Sequence, residues 1–251
     1  MPELVYYVAA SEDGFIAGPD GELDWLHAVE SPAEDYGYAA FLARDSVRGL
    51  GLAAAMQLRP VGYRWKETQA ADVGFVDVRS VVPDAVVDLR YATANNFVGT
   101  PLYPAGARCL IHQSLAPGLA TAAEVLRAQG LRLVFWDCYR PHSVQVRMFQ
   151  VVPDPNWVAQ PGSYSKSHES GRSVDVTLAG PAGLLDMGTD FDDFTARANA
   201  LRTDGLTAAQ QRNRALLRQA MAAGGLQVYS GEWWHFDGPG AGDRRPIIDV
   251  P

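Results

Sequence analysis

Hydrophobic and polar positions change rhythm several times along the 251 residues. Residues 3–10, ELVYYVAA, are β-branched and aromatic, the pattern of a buried strand. GPDG at 18–21 marks a turn, 33–45 is weakly helical, and 46–72 has no clean period and reads as a linker. From residue 75 the texture changes: FVDVRSVVPDAVVDLRYA holds one strand-like and one mixed segment. SLAPGLATAAEVLRAQG at 114–130 carries apolar residues at helical spacing, and Gly130 suits its C-terminal end. LRLVFWDCYRP at 131–141 predicts a strand ended by Pro141, and 142–150 predicts a helix. Residues 151–167, rich in Pro, Gly, Ser and Asn, predict a loop. RSVDVTLAG alternates, with Val174 and Val176 on one face and Ser173, Asp175 and Thr177 on the other. Residues 207–223 predict a helix ended by Gly-Gly, and LQVYSGEWWHF predicts the last strand region. Helices and strands mix without a regular βαβ alternation, which predicts an α+β domain rather than a doubly wound sheet.

The chain is 47% hydrophobic and 20% charged, enough to build a sizeable core. Its net charge of -8 points neither to nucleic acid nor to an anionic membrane surface. The sequence has no run of 18 apolar residues, so no membrane-spanning helix is expected. The opening MPELVYYVAASEDG lacks a basic region followed by a long apolar one, which predicts a cytoplasmic protein. Export stays open if the natural start lies nearer Met56. Cys109 and Cys138 are too few for a disulfide framework and lack structural-zinc spacing. They are read as free buried thiols, with one disulfide between them open if the protein is exported.

Five histidines exist, and two stand out. In SKSHESGRSVDVTL, His168 leaves a polar, glycine-bearing loop and Asp175 lies on the polar face of the following strand. About sixty residues later, GEWWHF offers a second imidazole, His235, and a carboxylate three residues before it, Glu232. Two imidazoles and one carboxylate, with a fourth position left for water, form the ligand set of a catalytic zinc. Glu232 is then the general base, near the metal and not bound to it. One tension accompanies this reading. Residues three apart in a regular strand face opposite sides. Glu232 must therefore sit before the regular strand, or the backbone must bulge. His142 is read as a capping or packing residue, and His27 and His112 as surface residues.

SxHxSGxxxD followed by EWWHF, with WDCYRP upstream, resembles the zinc D-alanyl-D-alanine dipeptidases of the vancomycin-resistance type. The resemblance runs over about 75–250 and includes VDLRYATANNFVGTPLY and MGTDFDDF. It implies a hedgehog-like D,D-peptidase fold, α+β, with a mainly antiparallel central sheet flanked by helices. It implies one Zn2+ per chain held by His168, Asp175 and His235, with Glu232 as catalytic base and Arg140 stabilising the oxyanion. Asp192, Tyr91 and Ser167 are implied around a small D,D-dipeptide. Lys166 departs from the pattern, because a small serine can occupy that position. The related alternative is a zinc D,D-carboxypeptidase or endopeptidase acting on peptidoglycan stem peptides. Residues 3–45 resemble instead the opening of a bacterial dihydrofolate-reductase-like domain of the riboflavin reductase type. That fragment lacks most of a nucleotide-binding sheet, so no reductase activity is expected. The expected organisation is 1–45 as a truncated reductase-like fragment, 46–72 as a linker and 73–251 as the peptidase domain.

Overall fold

The computed structural model describes residues 70–248 and residue 250. The expectations for 1–45 and 46–72, and for His27, lie outside the described residues.

Strand β1 (Phe75–Asp77) pairs antiparallel with β3 (Leu110–His112) in a two-stranded ribbon. The larger sheet runs β2 (Val86–Val87), β4 (Arg132–Asp137), β5 (Ser173–Gly180), β8 (His235–Asp237), β7 (Gln227–Val228), with β6 (Gly183–Leu184) also paired to β5. Among the described strands of this sheet the β2–β4 pair is parallel and the other pairs are antiparallel. Among the described residues, three α-helices accompany the sheet: α1 (Ala116–Arg127), α2 (His142–Val151) and α3 (Ala208–Ala223). The fold is α+β with a mainly antiparallel sheet, as the mixed periodicity and the resemblance imply.

Local chemistry sets the helix ends. Thr207 accepts from the Gln210 amide while the Gln210 side chain accepts from the Thr207 amide, a reciprocal cap that starts α3. The helix predicted at 114–130 begins as a 3-10 turn at 113–115 and becomes α-helical at Ala116, with Pro117 in its first turn, where a missing N–H costs nothing. α1 and α3 pack closely because Gly118 faces Gly224. A Cβ on Gly118 would lie 2.3 Å from the Gly224 carbonyl oxygen. Leu119 and Leu126 of α1 and Leu217 and Met221 of α3 are all fully buried with Val174, Val176 and Phe236 of the sheet. Burying side chains of this size favours folding by about 1.5–3 kcal/mol each.

β5 alternates as predicted, but both of its faces are covered. Ser173, Asp175 and Thr177 are as buried as Val174 and Val176. The polar face is not solvent-exposed; it forms the floor of the site. The last strand region is interrupted: β7 ends at Val228, a turn follows, and β8 starts only at His235.

The cysteines differ from expectation. Cys109, just before β3, and Cys138, just after β4, form a disulfide, and no free cysteine remains. The ribbon and the main sheet meet at this point, where the Tyr139 amide donates to the Leu110 carbonyl at 2.8 Å. Chain separation of 29 residues hides a neighbourhood that only this docking creates.

Candidate metal centre

Strand pairing brings the centre together. In register, Asp137 of β4 lies opposite Asp175 of β5, and Asp175 lies opposite His235 of β8. Directly paired residues point to the same face of a sheet. The register shifts between Phe135 and Asp137, so three residues of β4 span what two span on β5. Without that bulge Asp137 would face away from Asp175; with it, the carboxylate turns into the site.

His168 arrives from a 3-10 turn at Ser167–Ser170 immediately before β5. The turn is bounded by two left-handed residues, Ser167 (φ 52°) and Gly171 (φ 63°). Gly171 is required twice over. Its φ disfavours a side chain, and a Cβ there would lie 2.8 Å from the Phe75 ring.

Three ligand atoms converge. Asp175 Oδ1 lies 3.2 Å from His168 Nε2 and 3.0 Å from His235 Nδ1, and the two nitrogens are 3.0 Å apart. The other ring nitrogens are engaged. His168 Nδ1 donates to the Cys138 carbonyl at 2.8 Å, and His235 Nε2 donates to Asp237 Oδ1 at 3.1 Å. Those partners assign the tautomers of the neutral rings and aim both lone pairs inward, at each other and at a carboxylate oxygen. Three inward lone pairs repel unless a cation lies among them. In the metal-free protein a proton serves. Burial works against a charged His235, but Asp175 and Asp237 push its pKa up to about 10. Burial would raise Asp175, yet the two imidazoles hold it well below the usual carboxylate range. A divalent cation would displace the proton. Two ligands about 2.1 Å from a tetrahedral zinc are roughly 3.4 Å apart, so the triangle fits that ion after relaxing by a few tenths of an ångström.

Glu232 sits in the turn before β8, which resolves the tension over residues three apart: it precedes the regular strand. Its carboxylate makes no hydrogen bond or ion pair among the described residues. Burial, helped by the nearby Asp175 charge, pushes its pKa up to about 7 against the pull of His235. It lines a cavity of about 320 Å³ together with the three ligand residues.

Arg140 is held from behind. Its Nε and Nη2 donate to Asp137 Oδ2 at 3.0 and 2.7 Å, and Nη1 donates to Gln145 Oε1 at 2.7 Å. The guanidinium carbon lies 5.3 Å from the Tyr91 ring centre. Burial would lower its pKa, but Asp137 holds it well above the ordinary value. The Tyr91 hydroxyl donates to Asp192 at 2.9 Å, and both residues line the cavity. Burial, then the nearby Asp175, pushes Asp192 well above the carboxylate range. Ser167 also lines the cavity, but its hydroxyl donates to Ser173 at 2.9 Å, and Ser173 donates in turn to Asp237. That places Ser167 at the end of a chain leading to His235.

Of the two other described histidines, His112 differs from the surface position expected, and His142 packs at the start of its helix. His112 is half-buried and accepts from the Ser114 amide, with Arg172 3.0 Å from its other nitrogen. His142 pairs with the buried Glu169, next to His168. Sequence reasoning missed Asp137, Gln145, Ser173 and Asp237, which position the site. Acids two and three residues from a candidate ligand or arginine, in HFD and WDCYR, were the available signal.

The D-Ala-D-Ala dipeptidase model of peptidase family M15 matches residues 71–251. The chain belongs to that family. A D-alanyl-D-alanine dipeptidase of Escherichia coli K12 is 38% identical over 175 residues, 69% of this chain and 89% of that protein. A second, from Enterococcus faecium, is 31% identical over 192 residues, 66% of this chain and 91% of that protein. Among solved structures, the vancomycin-resistance D,D-pentapeptidase VanY in complex with Zn(II) is 17% identical with a TM-score of 0.34, covering 53% of this chain and 75% of that one. Within the M15 family this chain is a zinc-dependent dipeptide hydrolase. The match spans the described domain and stops short of residues 1–70, where no comparison bears on the reductase-like reading.

Proposed function

We propose that residues 71–251 hydrolyse the D-alanyl-D-alanine dipeptide with one zinc per chain, held by His168, Asp175 and His235. The observation that carries this is the inward convergence of three lone pairs at 3.0–3.2 Å beside Glu232, whose carboxylate has no partner among the described residues and whose pKa is pushed up to about 7. Zinc in such a site polarises the scissile carbonyl and lowers the pKa of a water towards ~7.

Glu232 takes the proton of the attacking water and hands it to the leaving amine. A carboxyl poised near neutral pH can do both. Arg140, fixed by Asp137 and Gln145, donates to the oxygen on which charge develops. Asp192, braced by Tyr91, receives the substrate ammonium. Pairing that ammonium with a buried acid disfavours longer chains, because an acid left without its partner is costly. Ser167 acts through Ser173 and Asp237 on the orientation of His235.

The test is hydrolysis of D-Ala-D-Ala against a stem pentapeptide, with and without a chelator. We expect free D-alanine from the dipeptide only, lost on chelation and restored by zinc. Release from the pentapeptide would favour the carboxypeptidase alternative. Glu232→Ala should lower kcat about 10²–10⁴-fold with zinc still bound by metal analysis; retained turnover would remove Glu232 from the mechanism. The Cys109–Cys138 disulfide supports placing the domain in an oxidising compartment.

A further inference from the structure

The cavity wall carries five carboxylates, Glu169, Asp175, Asp192, Glu232 and Asp237, but only two permanent cations, Arg140 and Lys166. A zwitterionic dipeptide brings its own carboxylate into this space. Left near acids with no cation to face, that carboxylate would be repelled and poorly solvated. Arg140 already gives three of its five N–H groups to Asp137 and Gln145, and the proposed mechanism uses the rest of the guanidinium for the developing oxyanion. Lys166 is uncommitted: no hydrogen bond or ion pair from its side chain occurs among the described residues.

The backbone aims Lys166 inward and fixes it there. Ser165 is fully buried and its hydroxyl donates to the Pro246 carbonyl at 2.9 Å. Lys166 is extended (φ −156°, ψ 173°), so its side chain leaves the backbone opposite to Ser165, on the cavity side. On both sides of it the chain is tied to the C-terminal segment. Ser165 exchanges amide–carbonyl bonds of 2.8 and 2.9 Å with Arg245, and the Ser167 amide donates to the Ala241 carbonyl at 2.7 Å. Two residues on, His168 supplies a ligand atom. The Lys166 side chain thus starts from a fixed place on the cavity wall, two residues from a candidate ligand, with no partner for its ammonium among the described residues.

We propose that Lys166 receives the C-terminal carboxylate of the substrate, which makes it the residue that selects peptides ending one residue beyond the scissile bond. This rests on the dipeptidase reading. Asp192 and Lys166 would then hold the two ends of a zwitterion, with the ligand triangle and Glu232 between.

The experiment compares D-Ala-D-Ala with D-alanyl-D-alaninamide, whose C-terminus is uncharged, on the zinc-loaded full chain and its Lys166→Met and Lys166→Arg variants. Lys166→Met should raise KM for the dipeptide about 10- to 100-fold, the usual range for losing one charge-assisted hydrogen bond, with kcat changed less than about threefold. The amide, as substrate or competitive inhibitor, should lose less than about threefold in apparent affinity, so the preference for the acid collapses. Lys166→Arg should recover most of the dipeptide KM. Equal losses on acid and amide, or an unchanged dipeptide KM, would overturn the assignment while leaving the dipeptidase reading intact. A zinc-loaded wild type that cleaves no D-Ala-D-Ala would overturn the dipeptidase reading and this assignment with it.

Discussion

Behind the ligand triangle, Asp137 accepts from the Tyr103 hydroxyl at 2.6 Å, from the Cys138 amide at 2.9 Å and from two nitrogens of Arg140. In front of it, the half-buried Glu232 carboxylate accepts from nothing among the described residues. Both acids adjoin the candidate metal centre and are treated in opposite ways. Asp137 is saturated with donors and orients Arg140. Glu232 is desolvated with no donor bonded to it among the described residues, and although His235 pulls the other way its pKa rises to about 7. Saturation gives position and deprivation gives proton chemistry, because a carboxylate that must exchange a proton cannot also be locked by permanent donors.

The strongest way to break this contrast is to unfasten the back. Arg140→Met removes the proposed oxyanion donor and should lower kcat about 10²–10³-fold. Asp137→Asn keeps the shape but removes the charge that holds the guanidinium, and should fall between wild type and Arg140→Met. If Asp137→Asn matches wild type in steady-state kinetics, the saturated network does not position Arg140.

How much of this was legible beforehand follows from what local sequence can encode. His168, Asp175 and His235 could be picked out because loop-to-strand spacing and the EWWH cluster are local, and the structure brings their ligand atoms together within 4.8 Å. Asp137 could not be assigned a direction, since the β4 bulge that turns it inward exists only against β5. The alternation of β5 was readable, but not the burial of its polar face, which depends on loops 152–167 and 186–195 closing over it. The disulfide was hidden for the same reason. Cys109 and Cys138 become neighbours only when the β1–β3 ribbon docks on the end of β4.

That disulfide offers a second, smaller test, because it ties down the backbone carbonyl that His168 Nδ1 donates to. Closing a loop of 29 residues is worth about 3–4 kcal/mol in the chain-entropy account. The Cys109→Ser/Cys138→Ser variant should lose stability of that order in denaturant unfolding. Its zinc affinity should drop about 10-fold as the support of His168 loosens. A stability loss with unchanged zinc affinity would show that the carbonyl is held without the bridge.

The smallest expected effect is also the most direct probe of Glu232. Its carboxyl is raised from 4.5 to about 7, so the folded metal-free protein keeps a proton that the unfolded chain releases above about pH 4.5. More protons bound in the folded state means stability that falls as pH rises. The contribution is fully present below about pH 4.5, is lost progressively up to about pH 7, and stays lost above it. Asp192 and Glu169, also raised by burial, tilt the curve the same way. Glu232→Gln removes one share of the slope, and should exceed chelated wild type in stability by about 1–3 kcal/mol at pH 8 with no such gain at pH 4. Denaturant titrations of both chelated proteins at the two pH values measure the difference. A gain of the same size at both would mean that the glutamine simply packs better. No gain at either would mean that the Glu232 carboxylate is compensated after all, and the contrast with Asp137 would fail.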